Sequence, residues 1–276
     1  MIYDRCPIMD KHRSSDIGHR SFPDHSIDAT PALVARAHLT RTNFRNTLAM
    51  RLQCVSAFLI ALLPTTALAD SYKIEPLKQA PPVVLSAPVR ESLREDGYKV
   101  VDGQGKTYAE FWLRKAVPAS EKPAGPKGAV QFPFLAEGEL LGALQFPGEG
   151  HDYRDQTIPK GVYTIRYGLQ PVNGDHLGVS VCRDYILLLP GAKDQALAKI
   201  PVKPLQERSA ESAGTSHPAI LMLVAPAAGA GPPPSMARDE EKNTWGAIVP
   251  LNLDVKGGAG PSPFNVQLIV IGAAAA

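Results

Sequence analysis

The chain has 276 residues, with 29 Lys and Arg against 27 Asp and Glu, and a formal net charge of +2. Eight of these cations and five of the anions precede residue 70, so residues 70–276 carry 21 cations and 22 anions. That nearly neutral part has no basic run interleaved with aromatic residues, so a nucleic acid or an anionic membrane is not the expected partner.

The first predicted element is an export signal. Arg51 precedes a short apolar run at 55–63, and an Ala-Leu-Ala pattern at 67–69 matches what a signal peptidase reads. The run of about nine residues is shorter than the roughly 20 that a permanent membrane span needs. We therefore expect a signal peptide at 50–69 and an exported protein, periplasmic or extracellular, that begins at Asp70.

Residues 1–49 precede that signal and need a separate explanation. They hold four of the seven histidines and show neither a sustained alternation nor a helical apolar stripe. A signal peptide is normally read from the front of the nascent chain, so we interpret 1–49 as a disordered, non-native extension from a wrongly chosen start codon, with Met50 the true initiator. A long cytoplasmic or targeting extension is the alternative.

Strand-like runs follow one another through residues 70–276. They are rich in β-branched and aromatic residues and are bounded by Gly, Pro, Asp or Asn. The runs lie at 81–87, 107–117, 129–135, 140–147, 161–170, 184–190, 219–226, 245–255 and 264–272. In the fifth run, Tyr163 and Ile165 share one face while Thr164 and Arg166 share the other, as in a half-buried antiparallel strand.

Alternation in the most apolar runs also predicts the core. Residues on alternate positions should face the interior, and truncation of a buried leucine there should cost about 2–5 kcal/mol. The predicted core residues are Tyr163, Ile165, Leu187, Leu189, Leu221, Leu223, Leu268 and Val270.

Turns, helices and loops complete the predicted architecture. Asp102-Gly103 and Asn173-Gly174 favour hairpin turns. Short helices are predicted at 89–97, 192–199 and 204–214, the last ended by Gly214, and exposed loops at 118–128 and 226–243. Because helices do not alternate with strands, we expect an all-β fold: residues 70–276 should form a single antiparallel β-sandwich of roughly nine strands, with short helices in the connections.

The middle of this region carries a resemblance. The segments "DYRDQTIPKGVYTIRYGLQPVNGDHLGVSVCRDYILLLP" (152–190), "GTSHPAILML" (214–223) and "GYKVVDGQGKTYAEFWLRK" (97–115) resemble a group of uncharacterised secreted bacterial proteins. A "GVYTLRY" strand, a "GDH" turn and a "SGTxHPA" turn recur in that group. The resemblance implies an exported, β-rich protein, and it brings no activity and no catalytic residue.

Three histidines beside turn residues form the one candidate metal site. His151, His176 and His217, with Asp175, could bind zinc or copper if their turns converge at one end of the fold. The chain has no His-x-x-x-His, His-x-His or paired Cys-x-x-Cys spacing among these residues, so these side chains are better explained as hydrogen-bonding partners of turn backbone.

Other catalytic patterns are weaker. The carboxylate pairs Glu137 with Glu139 and Asp152 with Asp155 could mimic a glycosidase dyad, but the sequence cannot place them across a cleft. Cys182 stands alone after signal cleavage and is typical of a small buried hydrophobe rather than a nucleophile.

The sequence thus supplies a fold and no reaction. Trp112 and Trp245 suit a core better than a sugar-stacking platform. We expect an exported, non-catalytic protein without a cofactor that binds a protein, a glycan or another envelope component. A periplasmic metal-binding protein or metalloenzyme is the alternative, followed by a hydrolase with a carboxylate pair.

Overall fold

A computed structural model describes residues 71–172 and 182–274 of the chain. The expectations for the extension at 1–49, the signal peptide at 50–69, the turn at 173–174, and Asp175 with His176 lie outside these residues. Within the described part, neither helix has both the length and the apolar character that a membrane crossing requires.

The described residues form thirteen strands and two helices. In chain order they are β1 (Lys73–Leu77), α1 (Ala87–Ser92), β2 (Gly97–Val101), β3 (Thr107–Leu113), β4 (Val117–Ala119), β5 (Leu140–Phe146), β6 (Gly150–His151), β7 (Thr157–Ile158), β8 (Gly161–Leu169), β9 (Asp184–Pro190), α2 (Val202–Ala213), β10 (Ile220–Val224), β11 (Ser235–Asp239), β12 (Thr244–Val255) and β13 (Ser262–Ile271). The protein is therefore mostly β, as the sequence predicts.

One large sheet contains all of these strands except β6 and β7, which pair with each other. Its order is β1-β2-β3-β5-β8-β9-β10-β13-β12-β11, and the neighbours along this path are antiparallel. The short strand β4 pairs in parallel with β12, so the sheet is mixed rather than wholly antiparallel. The β2–β3 hairpin turns at Asp102 and Gly103, as predicted: Asp102 accepts N–H bonds from Gln104 and Lys106.

The sheet curls around one central core. Residues from both halves of the strand path enter the same buried cluster, which a flat sheet could not achieve. The predicted core residues Tyr163, Ile165, Leu221, Leu223, Leu268 and Val270 belong to it. Leu187 and Leu189 are also buried, but the prediction of their direction was wrong, because Ile186 and Leu188 of β9 face this core.

The outer face of the sheet is covered as well, which the half-buried pattern of β8 did not predict. Strand register places Trp112, Ala143, Thr164 and Leu189 in one row across β3, β5, β8 and β9. Thr164 and Arg166 have no exposed surface. Three segments cover this face in turn: α1 over Trp112, the connection 191–200 over Arg166, and α2 over Leu189.

Two runs predicted as strands are connections. In 81–87, two prolines remove backbone donors and Val83 is 86% exposed, so the segment turns into α1. The run at 129–135 buries Phe132 and Phe134 without a sheet, because the carboxylate of Asp184 accepts the N–H groups of residues 131 and 132.

Two further expectations were wrong for tertiary reasons. The predicted helix at 192–199 does not form, and the carbonyls of Ala196 and Ala198 accept bonds from Arg166 instead of closing helical turns. The predicted loop at 226–243 contains β11, an edge strand whose Arg238 lies over the Trp245 ring at 5.4 Å. The helix ended by Gly214 is confirmed, since Gly214 has a left-handed backbone with φ 64°.

Candidate binding groove

A half-open groove of about 360 Å³ lies on the outer face, beside the N-terminal half of α2. Its floor comes from the ends of β8, β9 and β10, and one rim comes from α2. The opposite rim comes from the turn between β6 and β7, at Arg154, and from residues 216–218 before β10. Its volume falls within the range of small-ligand sites, about 300–1,000 Å³.

The C-terminal half of α2 is held tightly on the sheet. Ser209 Oγ donates to the carbonyl of Ala219 at 2.9 Å, and Ser212 Oγ donates to the carbonyl of Leu188 at 2.8 Å. These short side chains bring the helix close to the strands, whereas Leu205 fills the space nearer its N-terminus. The groove opens beyond Leu205, where Val202 is 43% exposed.

The floor of the groove is apolar. It is formed chiefly by Leu169, Tyr185, Leu187, Leu205 and Ile220. Gly168 also lines it, and a Cβ there would lie 2.3 Å from Cδ1 of Leu187, so a larger residue would make the Leu187 side chain shift.

The rims are polar and carry both charge signs. The polar lining residues are Glu137, Arg154, Gln170, Lys203, Gln206, Glu207, Ser216 and His217. Among the described residues, the side chains of Arg154, Lys203 and Glu207 have no hydrogen-bond or ion-pair partner, although all three belong to residue types that readily form such pairs.

The buried polar groups elsewhere on this face are saturated. Arg166 forms a two-point ion pair with Asp194, with Nε to Oδ2 at 2.7 Å and Nη2 to Oδ1 at 2.9 Å. Its remaining donors reach the carbonyls of Gly138, Ala196 and Ala198. Every N–H of the guanidinium is used, so this pair pins the connection 191–200 to β8 and offers nothing to a ligand.

A second saturated group lies on the inner face. Asp184 accepts the hydroxyl of Tyr167 at 2.6 Å as well as the N–H groups of Gln131 and Phe132. Burial raises the pKa of Asp184, although these hydrogen bonds oppose the shift. Burial and the nearby charge of Asp184 raise the pKa of Tyr167. The Asp184 carboxylate therefore accepts hydrogen bonds from the backbone of the 129–135 connection.

The candidate metal ligands are placed as follows. His151 lies in β6 with Nδ1 3.5 Å from Oδ1 of Asp155, and both side chains are exposed. His217 lines the groove, while Asp175 and His176 lie outside the described residues. Among the residues that the structure describes, no three His, Cys, Asp or Glu side chains form a group that could hold a metal ion.

Each of the two carboxylate pairs separates into one structural and one accessible member. Asp152 is buried and accepts four bonds, from the N–H groups of Arg154, Gln156 and Ile220 and from the Gln156 amide. Glu139 is buried against Arg114. Their neighbours Asp155 and Glu137 face the surface and the groove, so neither pair spans a cleft as a dyad requires.

The remaining candidates, Cys182 and the two tryptophans, are buried or half-buried packing residues. Cys182 is buried and its sulfur accepts the amide of Gln131, as expected for a packed cysteine. Trp112 is fully buried, with Nε1 donating to the carbonyl of Gln79 at 2.7 Å. Trp245 is half-buried, with Tyr72 against it at 5.7 Å between ring centroids.

Sequence reasoning found α2 but not the groove beside it. The groove depends on residues from six segments between 137 and 220, and no local pattern links them. Comparison of the chain with known proteins adds nothing to this picture, because no family model, no curated protein and no solved structure matches it.

Proposed function

We propose that the chain is an exported, non-catalytic binding protein and that the groove beside α2 is its binding site. The partner is a component of the envelope or the extracellular space. The observation that carries the proposal is the groove itself, with an apolar floor and charged rims whose Arg154, Lys203 and Glu207 have no partner among the described residues. The proposed scaffold is a β-sandwich whose two halves remain joined through β10.

The state of the buried polar groups supports a binding role. The side chains of Asp152, Asp184 and Arg166 are already hydrogen-bonded to backbone groups or to one buried partner. A catalytic group needs capacity left over for a substrate. The groove offers that capacity only through exposed rim side chains, which suit recognition.

The proposal is tested by filling the groove from α2. Ala210 lines the groove, so Ala210→Phe should occlude it without deleting a core side chain. Arg208, on the same helix, is exposed and does not line the groove, which makes Arg208→Phe the matched control. The probe is the neutral dye Nile red, whose emission rises in apolar surroundings.

Wild type and Arg208→Phe should bind the dye equally, and Ala210→Phe should bind it about tenfold more weakly. Equal binding by all three proteins would contradict the proposal. Export is tested separately, since N-terminal sequencing of secreted material should begin at Asp70, and recovery of residues from 1–49 would contradict the signal at 50–69.

Zinc or copper binding is the second candidate. It is favoured by one observation, the approach of His151 to Asp155 at 3.5 Å. Two ligand atoms are too few for a closed zinc site, which takes four, so further ligands such as His217 or His176 would have to join them.

A further inference from the structure

We infer that the groove beside α2 takes an extended peptide segment in which an apolar residue is flanked by an acidic and a basic residue. This inference rests on the proposed function, because it names the partner of the same groove. It narrows the expected partners, which were a protein, a glycan or another envelope component, to a protein.

The floor disfavours a glycan. Sugar rings are bound by stacking on exposed aromatic faces together with dense polar contacts. The Tyr185 ring in the lining is only 6% exposed, and its hydroxyl donates to Oε1 of Gln170 at 3.3 Å. A floor of Leu187, Leu205 and Ile220 instead suits an aliphatic side chain.

The charges disfavour an anionic lipid. Arg154 and Lys203 are balanced by Glu137 and Glu207, so the charged lining has no net sign. A phosphate headgroup or another polyanion would meet both carboxylates as well as the cations. A segment with one acidic and one basic residue finds both cations and carboxylates in the lining as complementary partners.

The amides on the rims suit a peptide backbone. Gln206 and Gln170 both line the groove, and each side-chain amide can donate as well as accept. Ser216 adds a hydroxyl on the opposite rim. Peptide N–H and C=O groups alternate along an extended chain, and a half-open groove lets that chain run through while one side chain enters the floor.

The test is a selection of phage-displayed linear 12-residue peptides on the purified wild-type protein, after depletion on the Ala210→Phe variant. Selected peptides are then synthesised, and their affinity is measured by fluorescence anisotropy. We expect an apolar residue between opposite charges, binding at least about tenfold weaker to Ala210→Phe, and unchanged binding to Arg208→Phe. Arg154→Glu should weaken these peptides and favour variants with the acidic residue replaced by lysine.

Folding and rival ligands are controlled in the same experiment. Gln206→Trp is a second groove-filling variant, and any variant with an altered circular dichroism spectrum or unfolding midpoint is replaced by the other. Peptides that bind Ala210→Phe as well as wild type would overturn the inference. Groove-dependent binding to phosphatidylglycerol vesicles without any peptide binding would also overturn the peptide inference, but it would leave the proposed binding function standing. Loss of groove-dependent Nile red binding would overturn both the inference and the proposed function.

Discussion

The two helices cover the same outer face of the sheet, yet they cover it differently. The α1 segment buries Val89 and Leu93 against Trp112, whose ring is fully enclosed, and leaves only a shallow, open depression of about 630 Å³ along its outer side. In α2, the serines of the C-terminal half press the helix onto the sheet, and the N-terminal half leaves a groove above Leu187. The buried Arg166–Asp194 pair lies between the two covers.

This contrast separates stability from recognition. A sealed cover removes apolar surface from water and gains the full hydrophobic contribution, about 25 cal/mol per Å². A helix that leaves part of the sheet open exposes apolar surface to water, and this exposure costs stability. Such an exposed apolar surface is typical of a site where a partner binds. This difference is the basis for placing the proposed binding site beside α2 rather than beside α1.

Breaking the ion pair between the covers should have the largest effect. Asp194→Ala leaves the buried guanidinium of Arg166 without its counter-charge, and this should lower the free energy of unfolding by about 3–5 kcal/mol. Urea denaturation measures the loss. The double variant Arg166→Met with Asp194→Leu should recover part of it, but not all, because three carbonyls lose their donor. A loss below about 1 kcal/mol would show that the pair does not hold the two covers together.

A matched pair of leucine truncations compares the covers directly. Leu93 on the α1 side and Leu205 on the α2 side are each 1% exposed. Leu93→Ala should cost about 4–5 kcal/mol because Leu93 packs against the enclosed Trp112 ring, and Leu205→Ala about 2–3 because its cavity merges with the groove. Urea denaturation measures both variants. A larger loss for Leu205→Ala would contradict this difference between the two sides.

Alternation and turn chemistry predicted most of the sheet. The runs at 140–147, 161–170, 184–190 and 264–272 coincide closely with β5, β8, β9 and β13, because short apolar runs rich in β-branched and aromatic residues and bounded by turn residues are typical of strands. Alternation misjudged Leu187 and Leu189. Where both faces of a strand are covered, every position is apolar, and the sequence no longer distinguishes inside from outside.

What the sequence could not predict depends on long-range partners. Residues 192–199 have helical propensity, but Arg166 takes their carbonyls, and an arginine on a polar face gives no sign that it will be buried. The run at 129–135 looks like a strand until Asp184 supplies acceptors for its backbone. The groove has the same origin, since it is assembled from segments far apart in the chain.

A pH titration distinguishes saturated buried groups from the open groups of the groove. Because burial raises the pKa of Asp184, its folded form binds a proton more readily than its unfolded form. This group therefore contributes stability that is complete below its unfolded pKa, about 3.9, and is lost as the pH rises through the folded value.

The comparison is between wild type and Asp184→Asn, which does not titrate. The variant should be less stable by about 1–3 kcal/mol, since one amide oxygen cannot replace two carboxylate acceptors. The stability advantage of the wild type should shrink as the pH rises from about 3 to about 7. A pH-independent difference between the two unfolding free energies would contradict the raised pKa.

The smallest effect is expected at the exposed His151–Asp155 pair in the turn between β6 and β7. The side chains of His151 and Asp155 are 49% and 78% exposed, so His151→Ala should change the free energy of unfolding by less than about 0.5 kcal/mol. Metal content is measured by elemental analysis of the wild type and this variant after zinc or copper supplementation, with His176→Ala as the companion variant. We expect no stoichiometric metal in any of the three. One metal ion per chain in the wild type, lost in His151→Ala, would mean that the turn histidines converge, and it would place the functional centre at this turn rather than in the groove.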